Sequence, residues 1–149
     1  MLFRSNVAAA AQSNLKRMLA YSSVAHAGYM LLAVCSMTHE SPSALFYYSA
    51  SYSLSSLLSF FILLIISEKT GLETVDGFRG LAFGHRGLAA QSVIAFLSLA
   101  GIPPTAGFFA KYYLFTSAID AGQMTLVLCA VIGSLLGVYY YFRPLMAVF

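Results

Sequence analysis

Charge is scarce in this sequence. Only 9% of its 149 residues are Asp, Glu, Lys or Arg, against roughly 25% in an ordinary soluble domain. A globule so poor in polar groups cannot coat itself for water, which excludes a soluble enzyme domain and a disordered tail. The 8 basic and 5 acidic residues leave a formal charge of +3, too thin a spread for a phosphate-binding face, so nucleic acid is excluded as a partner. Cysteine is equally sparse. Cys35 and Cys129 sit in apolar runs with no CxxC pair and no metal spacing, and are expected to pack as small hydrophobes. Gly-rich phosphate loops, HExxH, Ser/His/Asp arrangements and redox-cofactor motifs are lacking, so no catalytic residue, metal or cofactor is expected in this chain. No segment resembles a cleavable secretory signal with a small-residue cleavage site. The first 39 residues hold Arg4, Lys16 and Arg17 and no acid, a pattern compatible with mitochondrial import.

What the sequence has is apolar length: 60% of residues are hydrophobic and the mean hydropathy is +0.80. The fold class is therefore an all-α polytopic membrane protein, and at about 20 apolar residues per span there is room for about four helices. The runs place spans at about 17–38, 43–67, 88–119 and 123–146 in a single membrane domain, with a polar loop at 67–87. Pro42 is placed to open the second helix. The third run is too long for one ideal span and is interrupted at Gly101-Ile102-Pro103-Pro104. With four crossings, Arg4, Lys16, Arg17, Lys69, Arg79, Arg86 and Arg143 fall on one side, and only Glu40 and Asp120 on the other. The basic side is expected to face the cytoplasm or the mitochondrial matrix. Small-residue faces, Ser49-Ser53-Ser56 with Tyr52 and Ser59 in the second span and Gly133-Gly137 beside Ser134 in the fourth, read as helix contacts or, for the first, as the lining of a water path.

One residue is too costly to be idle. Lys111 lies near mid-membrane in Gly107-Phe108-Phe109-Ala110-Lys111-Tyr112-Tyr113-Leu114-Phe115, where an ammonium costs roughly 2.5–3.5 kcal/mol on insertion scales. It persists with a carboxylate partner, a hydrated cavity or by giving up its proton; the bland alternative is a lysine that snorkels to the interface. The break just upstream strengthens the functional reading: Pro103 and Pro104 remove backbone donors and Gly101 and Gly107 loosen the chain, and irregular backbone at membrane depth is tolerated where it is buried or lines a cavity. His26 is the second candidate, a relay by its chemistry or a packed histidine by default, with Ser22, Ser23 and Tyr29 at helical spacing around it. Lys16 and Arg17 read as interfacial anchors, and Lys16, seven residues before Ser23, as a group through which protons could be taken up.

At these residues the sequence resembles a known family. The run Asn14-Leu15-Lys16-Arg17-Met18-Leu19-Ala20-Tyr21-Ser22-Ser23-Val24-Ala25-His26-Ala27-Gly28-Tyr29 is similar to a signature of the antiporter-like subunits of respiratory complex I. The run Ser98-Leu99-Ala100-Gly101-Ile102-Pro103-Pro104-Thr105-Ala106-Gly107-Phe108-Phe109-Ala110-Lys111-Tyr112-Tyr113-Leu114-Phe115 resembles the branch called subunit 2, or subunit N in bacteria. A lysine followed by two tyrosines fits that branch, whereas subunit 4 relatives usually carry glutamate at this position. Gly137-Val138-Tyr139-Tyr140-Tyr141-Phe142-Arg143 fits the family's penultimate helix.

The resemblance implies part of the second of two inverted repeats, each with one broken helix, and a line of buried charges along the membrane plane. It implies that Lys111 belongs to the proton-exit half-channel and that His26 stands between half-channels. Lys16, Ser23 and Tyr112 complete the expected proton pathway. NADH, FMN, iron–sulfur clusters and ubiquinone are implied for other subunits of the complex. Family members are considerably longer, and the first repeat has no counterpart here: the chain is either a fragment of a longer subunit or, as expected, a split subunit docked on a separate chain carrying the other half, alongside other membrane-arm subunits and the lipid bilayer. The expected location is the mitochondrial inner membrane, with the bacterial inner membrane as the alternative. Competing readings are a structural remnant that does not conduct and a subunit of a cation/proton antiporter.

Overall fold

The computed structural model describes residues 2–36 and 38–149. Met37, at the end of the first apolar run, lies outside the described residues. Among the described residues, seven α-helices run in the order α1 (Leu2–Ala10), α2 (Leu15–Ser36), α3 (Ser41–Thr70), α4 (Leu81–Gly84), α5 (Arg86–Ala100), α6 (Ala106–Asp120) and α7 (Met124–Ala147), with a 3₁₀ turn at Val75–Phe78. Among the described residues α2, α3 and α7 are each long and apolar enough to cross a membrane. The third apolar run forms two 15-residue helices, α5 and α6, one on each side of the break. The all-helical fold class read from the sequence, with its third span broken after Ala100, is the one observed.

Hydrogen bonds fix which ends share a side. On the basic side the Leu15 amide donates to the Glu73 carbonyl at 2.8 Å, and the Ala82 amide to the Val148 carbonyl at 2.9 Å. On the acidic side Gln123 Nε2 donates to the Cys35 carbonyl at 2.8 Å. There Thr38, Ser41 and Ser117 form a ring of hydroxyls at 2.7–2.8 Å that ties the α2–α3 turn to α6. The core forms two apolar clusters. One, around Leu15, Met18, Ile62, Phe78 and Phe96, fills the basic half; the other, around Ala25, Leu32, Leu114, Val127 and Ala130, fills the acidic half. The polar residues of interest lie between them.

Several expectations are corrected here. α3 has 30 residues, about 45 Å at 1.5 Å per residue against a hydrocarbon core of about 30 Å. Its last turns therefore continue as helix through Glu68 and Lys69, where the sequence reading begins a loop at 67, and stop only at Gly71, whose φ is 71°. The rest of the expected loop is ordered as well, because Phe78 is buried edge-on against Phe96, with ring centroids 5.9 Å apart. The packed face of α3 is Tyr48, Ser55, Ser59, Ile62 and Ile66; Ser49, Ser53 and Ser56 lie one residue round the helix and are not buried. Cys35 and Cys129 are exposed rather than packed inside. Asn6 of α1 lies against Gly133, nine residues into α7, so Arg4 stands level with the middle of α7 rather than at the basic rim. Gly133 itself is a close-contact position: a Cβ there would come within 3.1 Å of Asn6 and 3.2 Å of the Tyr29 hydroxyl.

Candidate functional site: a lysine at a helix break

The break builds the site. α5 ends in Gly101, which takes φ of 78° and returns its amide to the Leu97 and Ser98 carbonyls. The Leu99 and Ala100 carbonyls that follow have no backbone amide to accept from, and the negative end of the helix dipole points into the interior. Lys111 folds back onto this end. Its Nζ donates to the Ala100 carbonyl at 2.8 Å, the Leu99 carbonyl at 3.3 Å and Ser134 Oγ of α7 at 3.2 Å, three acceptors for the three hydrogens of an ammonium. The residue is 6% exposed, and neither ion pair among the described residues involves it. The side chain thus turns inward to the break and does not snorkel. Its Nζ also lies 5.7 Å from the centroid of the Tyr29 ring, within cation–π range.

Gly101 and Gly107 serve close approach more than looseness. A Cβ on Gly101 would lie 2.8 Å from Lys111 Cδ, and one on Gly107 would collide with the Ser98 carbonyl oxygen. Only with hydrogen at both positions do the half-helices come together around the lysine. Pro103 and Pro104, joined by a cis bond, are exposed on the outer side of the break.

His26 is buried, at 4% exposure, and both ring nitrogens are engaged. Nδ1 meets the Tyr48 hydroxyl at 2.7 Å and Nε2 the Tyr141 hydroxyl at 3.3 Å, while the ring stacks on Tyr52 with centroids 4.5 Å apart. Tyr140 lies against Tyr141 and donates to Asn6 Oδ1 at 3.0 Å, so the polar layer reaches from α3 to α1. Between His26 and Lys111 is a small cavity of about 10 Å³, lined also by Tyr48, Ser51, Tyr52 and Ser55. The arrangement can hold a charge at depth and offers hydroxyls and an imidazole, groups that both accept and donate protons.

The other expected pathway residues are elsewhere. Lys16 is on the basic rim, 62% exposed at its side chain, paired with Glu73 at 3.1 Å. That hydrogen bond, with a second from Asn14, holds the Glu73 carboxyl below its ordinary value. Ser23 Oγ donates to its own helix at Ala20, and it is Ser22 that is buried. Tyr112 points outward, 56% exposed, because it follows the buried Lys111 by 100° of helical turn. What sequence reasoning missed is a set of hydroxyls: Tyr48, Tyr141, Ser51 and, as a direct partner of the lysine, Ser134, which it read only as part of a helix-contact face; Tyr52 it placed on a face that could line a water path. The signal was present in part, since Tyr48 and Tyr52 are spaced i, i+4 in an apolar span, where a tyrosine hydroxyl needs a partner.

Residues 1–137 match the family described as NADH:quinone oxidoreductase/Mrp antiporter, transmembrane. The NADH-quinone oxidoreductase subunit N of Cytophaga hutchinsonii is 44% identical over 144 residues, covering 97% of this chain and 32% of that protein. Subunit N 2 of Acidobacterium capsulatum is 42% identical over 148 residues, covering 97% and 30%. Among solved structures, a chain of respiratory complex I from Thermus thermophilus with bound Aureothin superposes with a TM-score of 0.82 at 35% identity, over 99% of this chain and 34% of that one. A chain of the Mrp complex from Dietzia sp. superposes with a TM-score of 0.87 at 26% identity, over 99% and 28%. The chain spans about a third of the length of the relatives it matches. With a matching profile over most of its length and the broken helix in place, the chain belongs to the NADH:quinone oxidoreductase/Mrp antiporter transmembrane family.

Proposed function

We propose that this chain is part of a proton-translocating, antiporter-like subunit of the subunit N kind, working in the membrane arm of an NADH-quinone oxidoreductase. Lys111 is the group that takes up and releases the proton, and His26 is its exchange partner. The observation that carries this reading is the holding of a buried lysine by the carbonyl end of a broken helix, with no carboxylate paired to it among the described residues. An ammonium bound by neutral dipoles can leave its proton elsewhere without abandoning a buried counter-charge, which would itself be costly.

Redox chemistry, with NADH, FMN, iron–sulfur clusters and ubiquinone, belongs on this reading to other subunits, whose turnover changes the charge states around Lys111. The chain works docked against the remaining two-thirds of such a subunit, carried on a separate chain if the subunit is split. The relatives are bacterial, which favours the bacterial inner membrane over the mitochondrial one. Intact Lys111 contacts favour conduction over a purely structural remnant. The likeness to an Mrp complex chain supports a second reading, a subunit of a cation/proton antiporter, marked by sodium-dependent transport without NADH oxidation.

The test is Lys111→Met in the assembled complex, with proton uptake measured in membrane vesicles during NADH oxidation. Pumping is expected to fall about a hundredfold or more, the scale of a lost proton-transfer group, with assembly retained on native gels. Normal pumping by an assembled mutant would overturn the assignment.

A further inference from the structure

Ser51 breaks the habit of the other helix hydroxyls. Ser22, Ser36, Ser59 and Ser92 each return their hydroxyl to a carbonyl three or four residues back, at 2.7–2.8 Å, as serines in apolar helices do. Ser55 instead reaches Ser98 Oγ at 2.7 Å. Ser51 Oγ does neither: among the described residues it is the buried side-chain polar atom without a hydrogen-bond partner. A sealed, unsatisfied hydroxyl costs roughly 1–3 kcal/mol, and the same helix offers it a carbonyl one turn away. It points instead into the cavity shared with His26, Tyr48 and Lys111. A cavity of about 10 Å³ is at the threshold of room for a single water, and this one has the polar partners a buried water needs.

We propose that Ser51 anchors one water in this cavity and that the water is the link between Lys111 and His26. The inference rests on the proton-translocating reading above and names the element that reading leaves open. Both nitrogens of His26 are already bonded to tyrosines, so a proton reaches the ring through a hydroxyl. In the tautomer with hydrogen on Nε2, Tyr48 donates to Nδ1 across 2.7 Å. The transfer then balances as follows. The Lys111 ammonium turns one hydrogen from its longest contact, the Leu99 carbonyl at 3.3 Å, to the water; that N–H bond breaks and an O–H bond to the water forms. The water gives a different hydrogen to the Tyr48 oxygen, and Tyr48 gives its own hydrogen to Nδ1. Lys111 ends neutral, His26 ends as imidazolium, and water and Tyr48 are unchanged; no electron moves. Ser51 touches neither end and is a positioning residue: it holds the water in line.

The experiment has two arms on the intact oxidoreductase complex containing this chain. A high-resolution map is expected to show density for one water within hydrogen-bond distance of Ser51 Oγ. Ser51→Ala is expected to slow NADH-driven proton uptake about tenfold, less than the full effect of a lost proton-transfer group because the water loses one anchor rather than all. It is also expected to enlarge the H₂O/D₂O rate ratio, which a packing defect alone would leave unchanged. Absence of the density, or a variant with unchanged rate and isotope ratio, overturns the proposal; if the variant fails to assemble, the density decides. Lys111→Met run in parallel separates the two levels. If it abolishes pumping while Ser51→Ala has no effect, only the water link fails; if it pumps normally, the proton-translocating reading fails with it.

Discussion

Two lysines in this chain solve opposite problems. Lys16 stands on the basic rim with its side chain 62% exposed and meets the Glu73 carboxylate at 3.1 Å. Lys111 stands in the interior at 6% exposure and meets two carbonyls and a hydroxyl. At the rim, water solvates both partners, so an ion pair is cheap to make and cheap to lose. In the interior a carboxylate would hold the ammonium firmly, but removing the proton would leave a naked buried anion. Carbonyls at a helix end hold the same cation with fixed dipoles that need no compensation when the charge departs. The difference teaches that depth selects the partner, and, on the function proposed above, that the partner decides whether the lysine is an anchor or a carrier.

The severest way to break the comparison is to take away the helix end rather than the lysine. Gly107→Ala drives a Cβ into the Ser98 carbonyl, where only backbone movement relieves the clash. The cost is expected at or beyond the upper end of the roughly 1–3 kcal/mol of ordinary overpacking. α6 must withdraw from α5, carrying Lys111 away from Leu99 and Ala100, so both assembly on native gels and proton uptake are expected to fall. Full assembly with normal uptake would show that the carbonyl cradle is dispensable. Next in size is the pair Lys111→Met and Lys16→Met. The first is expected to abolish most proton uptake, and the second to leave it unchanged; equal losses would erase the distinction between carrier and anchor.

Ser134→Ala sharpens the comparison more gently. Ser134 is the one partner of Nζ that can accept a hydrogen bond and give up a hydrogen of its own, which a carbonyl cannot do. Removing it leaves two acceptors for three ammonium hydrogens, a loss of about 1.5–3 kcal/mol for a hydrogen bond to a charged group if nothing replaces it. Proton uptake is expected to fall a few-fold, with its pH profile moved. A variant that changes stability but not the pH profile would assign Ser134 to packing alone.

How much of this was legible beforehand follows from what periodicity encodes. Apolar length and the Gly101-to-Pro104 interruption are local signals, and they suffice for the long apolar helices, the break after α5 and the cost of Lys111. The facing of each helix is not local. Ser49-Ser53-Ser56 and Ser51-Ser55-Ser59 are equally regular on paper, and only packing against Ser98 and the cavity chooses the second. Tyr112 shows the same limit, since adjacency to Lys111 in sequence puts it on a different face of the helix. The glycines were read for flexibility because a sequence shows a missing Cβ but not what would have met it. Glu73 was out of reach altogether: nothing in the chain between 17 and 73 announces that the loop returns to the start of α2.

That return supplies the smallest predicted effect and the control for all the others. The folded Glu73 carboxyl titrates below its ordinary value of 4.5, first through the hydrogen bond from Lys16 and then through that from Asn14. A depressed carboxyl contributes its stabilisation above the unfolded value and loses it as pH falls through the folded one. The latch is therefore intact at neutral pH and loosens only in acid, below about 4.5. Its opening can be read at the Leu15 amide, which donates to the Glu73 carbonyl at 2.8 Å. Hydrogen exchange there, corrected for intrinsic rate, is expected to accelerate below that range in the native chain and to show no such step in Glu73→Gln. High salt should weaken the same protection, while proton uptake carried by Lys111, with no exposed counter-ion to screen, should keep its rate. A salt effect of equal size at both places would mean that Lys111 feels the solvent as Lys16 does, and the contrast between rim and interior would collapse.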